Sequence, residues 1–200
     1  MTIGDSTMTE MKRNLARAFH ETQSFRWDSQ KGFVLASGER SPYYVDCRSL
    51  MAYPSARHLV GILANEALAG NDIDCLGGLE IGAISIATTI SDCGYRSTPR
   101  RDWRTFVVRK QAKDHGLGKL IEGAVRPGDR ALIVDDVLTS GGSLLKAVEA
   151  ARQVGLIVQQ ALVIVDRKEQ NGRARVEQEG VSLIALLTIE DLTRQQATPA

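Results

Sequence analysis

The stretch Leu132-Ile133-Val134-Asp135-Asp136-Val137-Leu138-Thr139-Ser140-Gly141-Gly142-Ser143 gathers more chemistry than any other in this 200-residue chain. An apolar run leads into two adjacent acids, then a turn of small residues, then a helical pattern. That order puts chemistry at the carboxyl end of a strand, where α/β sheets bind ligands. From Thr139 to Ser143, consecutive backbone N–H groups can converge on one ligand, because glycine permits a tight concave path and close approach. A helix start behind them favours a phosphate dianion, and the hydroxyls of Thr139, Ser140 and Ser143 add donors. Asp135 and Asp136 would repel that phosphate, yet they can accept hydrogen bonds from sugar hydroxyls beside it. The combination reads as a ribose 5-phosphate site. It is not a P-loop, since Gly-x-x-x-x-Gly-Lys is missing, and not a dinucleotide fingerprint, since the glycines follow the acids. A capped helix start after a core strand and a phospho-aspartate receiver are the other readings, but the receiver's further acids near the first strand are missing.

Three more sets of residues could serve such a site. Val108-Arg109-Lys110-Gln111-Ala112-Lys113-Asp114-His115-Gly116 is a basic run with glycines at 116 and 118. Cations and glycines together suit a mobile loop that could close over an anionic ligand, although a charge run is usually a solvated face. Tyr43-Tyr44 follows the turn Ser37-Gly38-Glu39-Arg40; side chains alternate along a strand, so only one of the two can face a given ligand, and the pair could simply pack on a sheet edge. Arg167 lies just past the predicted strand Gln160–Val165, where an arginine is by itself more often a surface residue.

The elements that must hold these residues follow from periodicity. Helices are predicted over Thr9–Glu21, from Pro54 to a stop at Gly70, over Ala83–Ser91, Ser143–Val154 and Ile189–Arg194. Strands are predicted at Phe33–Leu35, Tyr43–Val45, Ile73–Gly77, Thr105–Arg109, Ala131–Val134, Gln160–Val165 and Val181–Leu187. Residues 110–123 are too polar to bury a core face and read as a mobile loop. Strands alternating with helices at this spacing predict an α/β fold with an open, mostly parallel sheet. The charge of +1 argues against a global field for nucleic acid or membrane. Three cysteines without metal-like spacing, Cys47 expected to be the most exposed, fit a reducing cytosol. Neither a secretory segment nor a membrane-spanning run is present, so the expected location is the cytoplasm.

Val134 to Gly142 resembles the phosphoribosyl-pyrophosphate signature of type I phosphoribosyltransferases. The basic run from Val108 to Gly116 resembles the catalytic loop of orotate phosphoribosyltransferases in particular. Ser37 to Asp46 resembles their N-terminal hood, and Val165-Asp166-Arg167 and Leu187 to Leu192 resemble their later motifs. The resemblance implies the type I phosphoribosyltransferase fold, with a hood over 1–50, a core over 51–200 and the catalytic loop at 110–123. It implies transfer of the phosphoribosyl group from 5-phosphoribosyl 1-pyrophosphate to orotate in pyrimidine (UMP) biosynthesis, with Mg²⁺ held mainly through substrate and water, and a homodimer whose basic loop acts across subunits.

By the same resemblance, the activated sugar would meet Arg109, Lys110, Lys113, His115, Asp135, Asp136, Val137, Leu138, Thr139, Ser140, Gly141, Gly142 and Ser143. Orotate would meet Tyr43, Tyr44, Thr139 and Arg167, and Lys113, Asp135 and Asp136 would carry catalysis. The chain departs from the family in having Ala36 before Ser-Gly, Gln111 in place of glutamate, and Glu80-Ile81 where Tyr-Lys is common. A phosphoribosyltransferase for another base, and a non-catalytic nucleotide-sensing paralogue, are the alternatives.

Overall fold

The computed structural model describes residues 4–34, 38, 40–111 and 120–196. Its centre is a six-stranded sheet built from β5 (Cys75–Leu79), β6 (Arg104–Val108), β7 (Ile121–Gly123), β8 (Arg130–Leu138), β9 (Ile157–Asp166) and β10 (Ser182–Thr188). The spatial order is β10-β9-β8-β5-β6-β7, and every neighbouring pair is parallel except β6 with β7. Continuous apolar runs account for the interior strands, because a parallel sheet covered on both faces leaves no polar side. Leu132 and Val134 point into one core with Leu162 and Ile164; Ala131 and Ile133 point into the other with Ala161 and Val163.

Helices α1 (Asp5–Glu21), α3 (Pro54–Ala67) and α4 (Gly82–Arg96) cover the first face through Leu15, Phe19, Val60, Leu63, Ile86 and Ile90. Helices α5 (Gly142–Gln153) and α6 (Gly172–Gln178) cover the second. α7 (Ile189–Gln196) packs against α1 and β10. From β5 the chain steps outward to β6, whereas β8, β9 and β10 step the other way. The order therefore reverses between β5 and β8, and their carboxyl ends open a crevice, the usual ligand site of such sheets. A hood of two small antiparallel pairs stands beside it: β1 (Phe25–Trp27) with β4 (Tyr43–Val45), and β2 (Phe33–Val34) with β3 (Arg40–Ser41). The short α2 (Cys47–Leu50) follows, capped by Asp46, whose carboxylate accepts from Ser49 N.

Several expectations need correction. β8 continues past Val134 through both acids to Leu138, because β9 offers partners as far as Asp166. β5 lies two residues later than predicted, at Cys75–Leu79, and α4 runs on to Arg96. The polar stretch 110–123 does reach the core at its end: Ile121–Gly123 pairs antiparallel with β6, and Ile121 is buried. Cys47 is 1% exposed rather than the most exposed cysteine, and Cys93 is only half-buried. α2, α6, β1, β3 and β7 were not anticipated. Leu35 and the last four residues lie outside the described residues.

Candidate active site

At the carboxyl ends of β8 and β9 lies a cavity of about 300 Å³, floored by residues 135–144 and walled by Tyr44 and Arg167. The floor is the predicted phosphate turn. Gly141 adopts φ +78°, a left-handed conformation that suits glycine. α5 begins directly after it with no side-chain cap. The amides of Thr139, Ser140 and Gly141 donate to no group among the described residues. A helix start whose amides lack internal partners is a ready anion site. The turn is braced from behind, since Arg175 Nη1 donates to Ser140 O at 2.7 Å and α6 begins at Gly172 against Thr139.

Asp135 and Asp136 both line the cavity, but their surroundings differ. Asp135 is 8% exposed, and its Oδ1 accepts from the Asp136 amide at 2.9 Å. Burial, followed by the neighbouring Asp136 charge, pushes its carboxyl up to about 8. Asp136 is half-buried and accepts from the Val137 amide at 2.9 Å. Gly82 at the start of α4 lies against it, for a Cβ there would stand 3.2 Å from the Asp136 Cγ. The loop after β5 thus meets the acid pair at the crevice. Glu80 of that loop accepts from the Lys110 amide at 2.9 Å, tying it to the start of the basic run.

Of the hood tyrosines, Tyr44 lines the cavity. Tyr43 turns its ring to Phe25, with centroids 6.1 Å apart, and packs on the core. Tyr43 does not line this cavity; its backbone carbonyl accepts from Arg167 at 3.1 Å. Arg167 is 4% exposed, not the surface residue that its position alone suggests. Its Nη2 donates to Ser41 Oγ at 2.6 Å and lies 3.1 Å from Glu169 Oε2. Its Nε is buried without a partner. Ser41, Glu169 and the cavity-lining Gln170 were not singled out from sequence. Ser41 lay in the quoted hood motif, whereas Glu169 gave no signal of its own.

The structure does not bring Arg109 and Lys110 to this cavity. Both line a neighbouring one of about 440 Å³ that also includes Lys146 and shares Ser143 with the first. Arg109 pairs with Glu122 at 3.0 Å. Lys113, His115 and Ala36 lie outside the described residues.

Residues 56–184 match the phosphoribosyl transferase domain family. The chain is 40% identical over 162 residues to an orotate phosphoribosyltransferase of Pyrococcus abyssi, covering 80% of this chain and 85% of that one. This chain belongs to the orotate phosphoribosyltransferases. Among solved structures of the family, the Mycobacterium tuberculosis enzyme in complex with Fe(III) dicitrate superposes with a TM-score of 0.76 at 36% identity, covering 91% of this chain and 98% of that one. The same enzyme in complex with 5-phospho-α-D-ribosyl 1-diphosphate gives 0.70 at 31% identity, with 92% of each chain covered. Against the family pattern, Glu80 keeps a structural task through Lys110 N, while Ile81 remains exposed.

Proposed function

We propose that this chain transfers the 5-phosphoribosyl group from 5-phosphoribosyl 1-pyrophosphate to orotate, giving orotidine 5'-monophosphate and pyrophosphate. One observation carries the reading: a single cavity joins the acid pair and phosphate turn to a buried arginine and an aromatic residue. The turn amides and the α5 start bind the 5-phosphate, and Asp135 and Asp136 receive the ribose hydroxyls. Tyr44 covers the flat base, and Arg167 pairs with its carboxylate. N1 of the base bonds to C1 of the sugar as the C1–O bond to pyrophosphate breaks, its N–H proton passing to the departing pyrophosphate or solvent, with inversion and oxocarbenium character at C1. The protein forms no covalent bond in this step, so positioning and neutralisation of the leaving charge carry the rate. Lys113 is assigned to assist the departing pyrophosphate, by its charge or by proton transfer, together with Arg109, Lys110 and His115.

No group of three or more metal-ligating side chains occurs among the described residues. The oxygen donors present still fit Mg²⁺, which keeps several waters and takes one or two carboxylates plus substrate phosphates. Asp136, with Asp135, would hold it through water. When bound, the ion supplies charge neutralisation at the pyrophosphate.

The enzyme works as a homodimer whose basic loop serves the neighbouring subunit. In its own chain, Arg109 and Lys110 border a different cavity from the acid pair. Ile81, Ile84 and Tyr95, on or beside α4, present exposed apolar surface suited to a second copy. No helix among the described residues is long and apolar enough to cross a membrane; a cytoplasmic location is part of the proposal.

The test is loss of orotate absorbance in the presence of the activated sugar, with and without Mg²⁺, beside adenine, hypoxanthine and uracil as competing acceptors. Turnover of orotate alone, dependent on Mg²⁺, is expected. Turnover of a neutral base without orotate activity would overturn the reading.

A further inference from the structure

Glu169 stands two residues beyond Arg167 and within ion-pair distance of it, where the transfer reaction needs no acid. An acid beside an arginine that receives an anionic substrate weakens the attraction, so it calls for a separate reason. We infer that Glu169, together with Ser41, is a positioning residue that fixes the Arg167 guanidinium for the substrate carboxylate; its role rests on the proposal that Arg167 meets that carboxylate.

The Ser41 hydroxyl is fully committed. It donates to Glu169 Oε1 at 3.0 Å and accepts from Arg167 Nη2 at 2.6 Å and from the Tyr43 amide at 3.2 Å. A hydroxyl has one donor and two acceptor sites, so all three are used. Arg167 Nη2 meets this hydroxyl, the Tyr43 carbonyl at 3.1 Å and the Glu169 carboxylate at 3.1 Å. The guanidinium is therefore anchored at one corner, by acceptors from the hood and from the loop after β9. Nη1 makes no hydrogen bond among the described residues and is not among the buried unpartnered atoms, while Arg167 lines the cavity. The anchored corner thus leaves Nη1 available to a ligand. Because the guanidinium is planar, holding Nη2 from several directions fixes the plane in which a carboxylate must approach.

The loop carrying Glu169 is built at a conformational cost. Lys168, Gln170 and Asn171, none of them glycine, adopt φ of 53°, 52° and 53°. Such left-handed backbone persists only where the surroundings over-determine it. Here Asp166 accepts from the Lys168 amide at 2.9 Å and pairs with Arg173 at 3.0 Å. Lys168 Nζ pairs with Glu190 at 2.9 Å, and the Gly172 amide donates to Glu169 O at 3.2 Å. These contacts bend the loop so that Glu169 turns back onto Arg167.

Positioning and simple charge compensation make different demands on a substitution. Glu169→Gln keeps an oxygen for the Ser41 hydroxyl and for Nη2 but removes the charge, whereas Glu169→Ala removes both. The experiment measures KM for orotate and for 5-phosphoribosyl 1-pyrophosphate, and kcat, in the full-length enzyme carrying Glu169→Ala, Glu169→Gln, Ser41→Ala, the Ser41→Ala/Glu169→Ala pair or Arg167→Ala. Glu169→Ala should raise the orotate KM roughly tenfold, the scale of one charge-assisted hydrogen bond, and leave the sugar KM unchanged. Glu169→Gln should restore most of the loss. The double variant should lose little more than either single one, because the residues act as a unit.

Ser41→Ala cuts the same bridge and decides the matter if Glu169→Ala does not fold. An unchanged or lowered orotate KM in the foldable variants would overturn the role, as would equal losses for both substrates or no rescue by glutamine. Arg167→Ala separates the premise: if it spares the orotate KM, the Arg167 assignment itself falls and the positioning role falls with it.

Discussion

Asp135 and Asp136 are neighbours in sequence, yet the pleat and the local packing separate their chemistry. Asp135 is nearly sealed at the end of a core strand, while Asp136 is only half-buried. Burial and the Asp136 charge raise the Asp135 carboxyl from 3.8 to about 8. The folded protein then binds more protons than the unfolded chain between those values. Stability is therefore full below the unfolded value and declines as pH rises towards 8. In Mg²⁺-free buffer the melting temperature should fall between pH 5 and pH 8, and Asp135→Asn should lessen that fall. An equally steep fall in the variant would move the responsible ionisation elsewhere. Replacing both acids by asparagine should nearly abolish turnover without unfolding the protein, measured by orotate consumption beside circular dichroism; full activity would refute their assignment to the ribose. Arg167→Ala belongs to the same scale. A desolvated carboxylate left unpaired costs roughly 2–5 kcal/mol, so the orotate KM should rise at least about tenfold while the sugar KM holds, and the opposite pattern would assign Arg167 to phosphate.

At the scale of elements, the site depends on how closely backbone segments approach one another. Gly172 opens α6 against the phosphate turn, and a Cβ there would lie 2.1 Å from Thr139 O and 2.9 Å from Thr139 C. Neither atom is the end of a flexible side chain, so Gly172→Ala must push the turn or the helix aside. The sugar KM should rise by roughly tenfold or more, since a displacement near 1 Å in a positioning element is enough to cost that much, with a lesser effect on orotate. An unchanged sugar KM would mean that the turn tolerates the shift. The elements most readable in sequence were those with long, uniform patterns, such as Ala131–Val134 and Ser143–Val154. β1 has three residues and β3 two, too few for any period to register. β7 was hidden because a single buried residue, Ile121, ends a run of charged and glycine residues. The extent of β8 was underread because two acids look like the end of a strand, and only the ladder from β9 carries them into it.

Across the whole molecule, the phosphate turn and the acid pair were legible because they are contiguous, and local geometry follows from local sequence. The Arg167 environment was not, since the Ser41 hydroxyl that meets its guanidinium is 126 residues away. The same distinction governs the basic run. The family resemblance assigns it to pyrophosphate, but which site it serves depends on how chains assemble. Within one chain, Arg109 is paired with Glu122 and borders a cavity apart from the acid pair. If the run acts in trans, Lys113→Ala subunits and Asp135→Asn/Asp136→Asn subunits should each be inactive alone and complement when mixed. A mixed dimer holds one site with an intact acid pair facing an intact neighbouring loop, while its other site carries both defects. Random exchange of equal amounts makes half the dimers mixed, each with one working site of two. Activity per subunit should then approach about one quarter of the native value, for independent sites in a symmetric dimer. Subunit exchange must be demonstrated in parallel, for instance by mass differences between tagged and untagged chains. Exchange without recovered activity would return the basic run to its own chain's site, and Arg109 would then have to leave Glu122 to reach it.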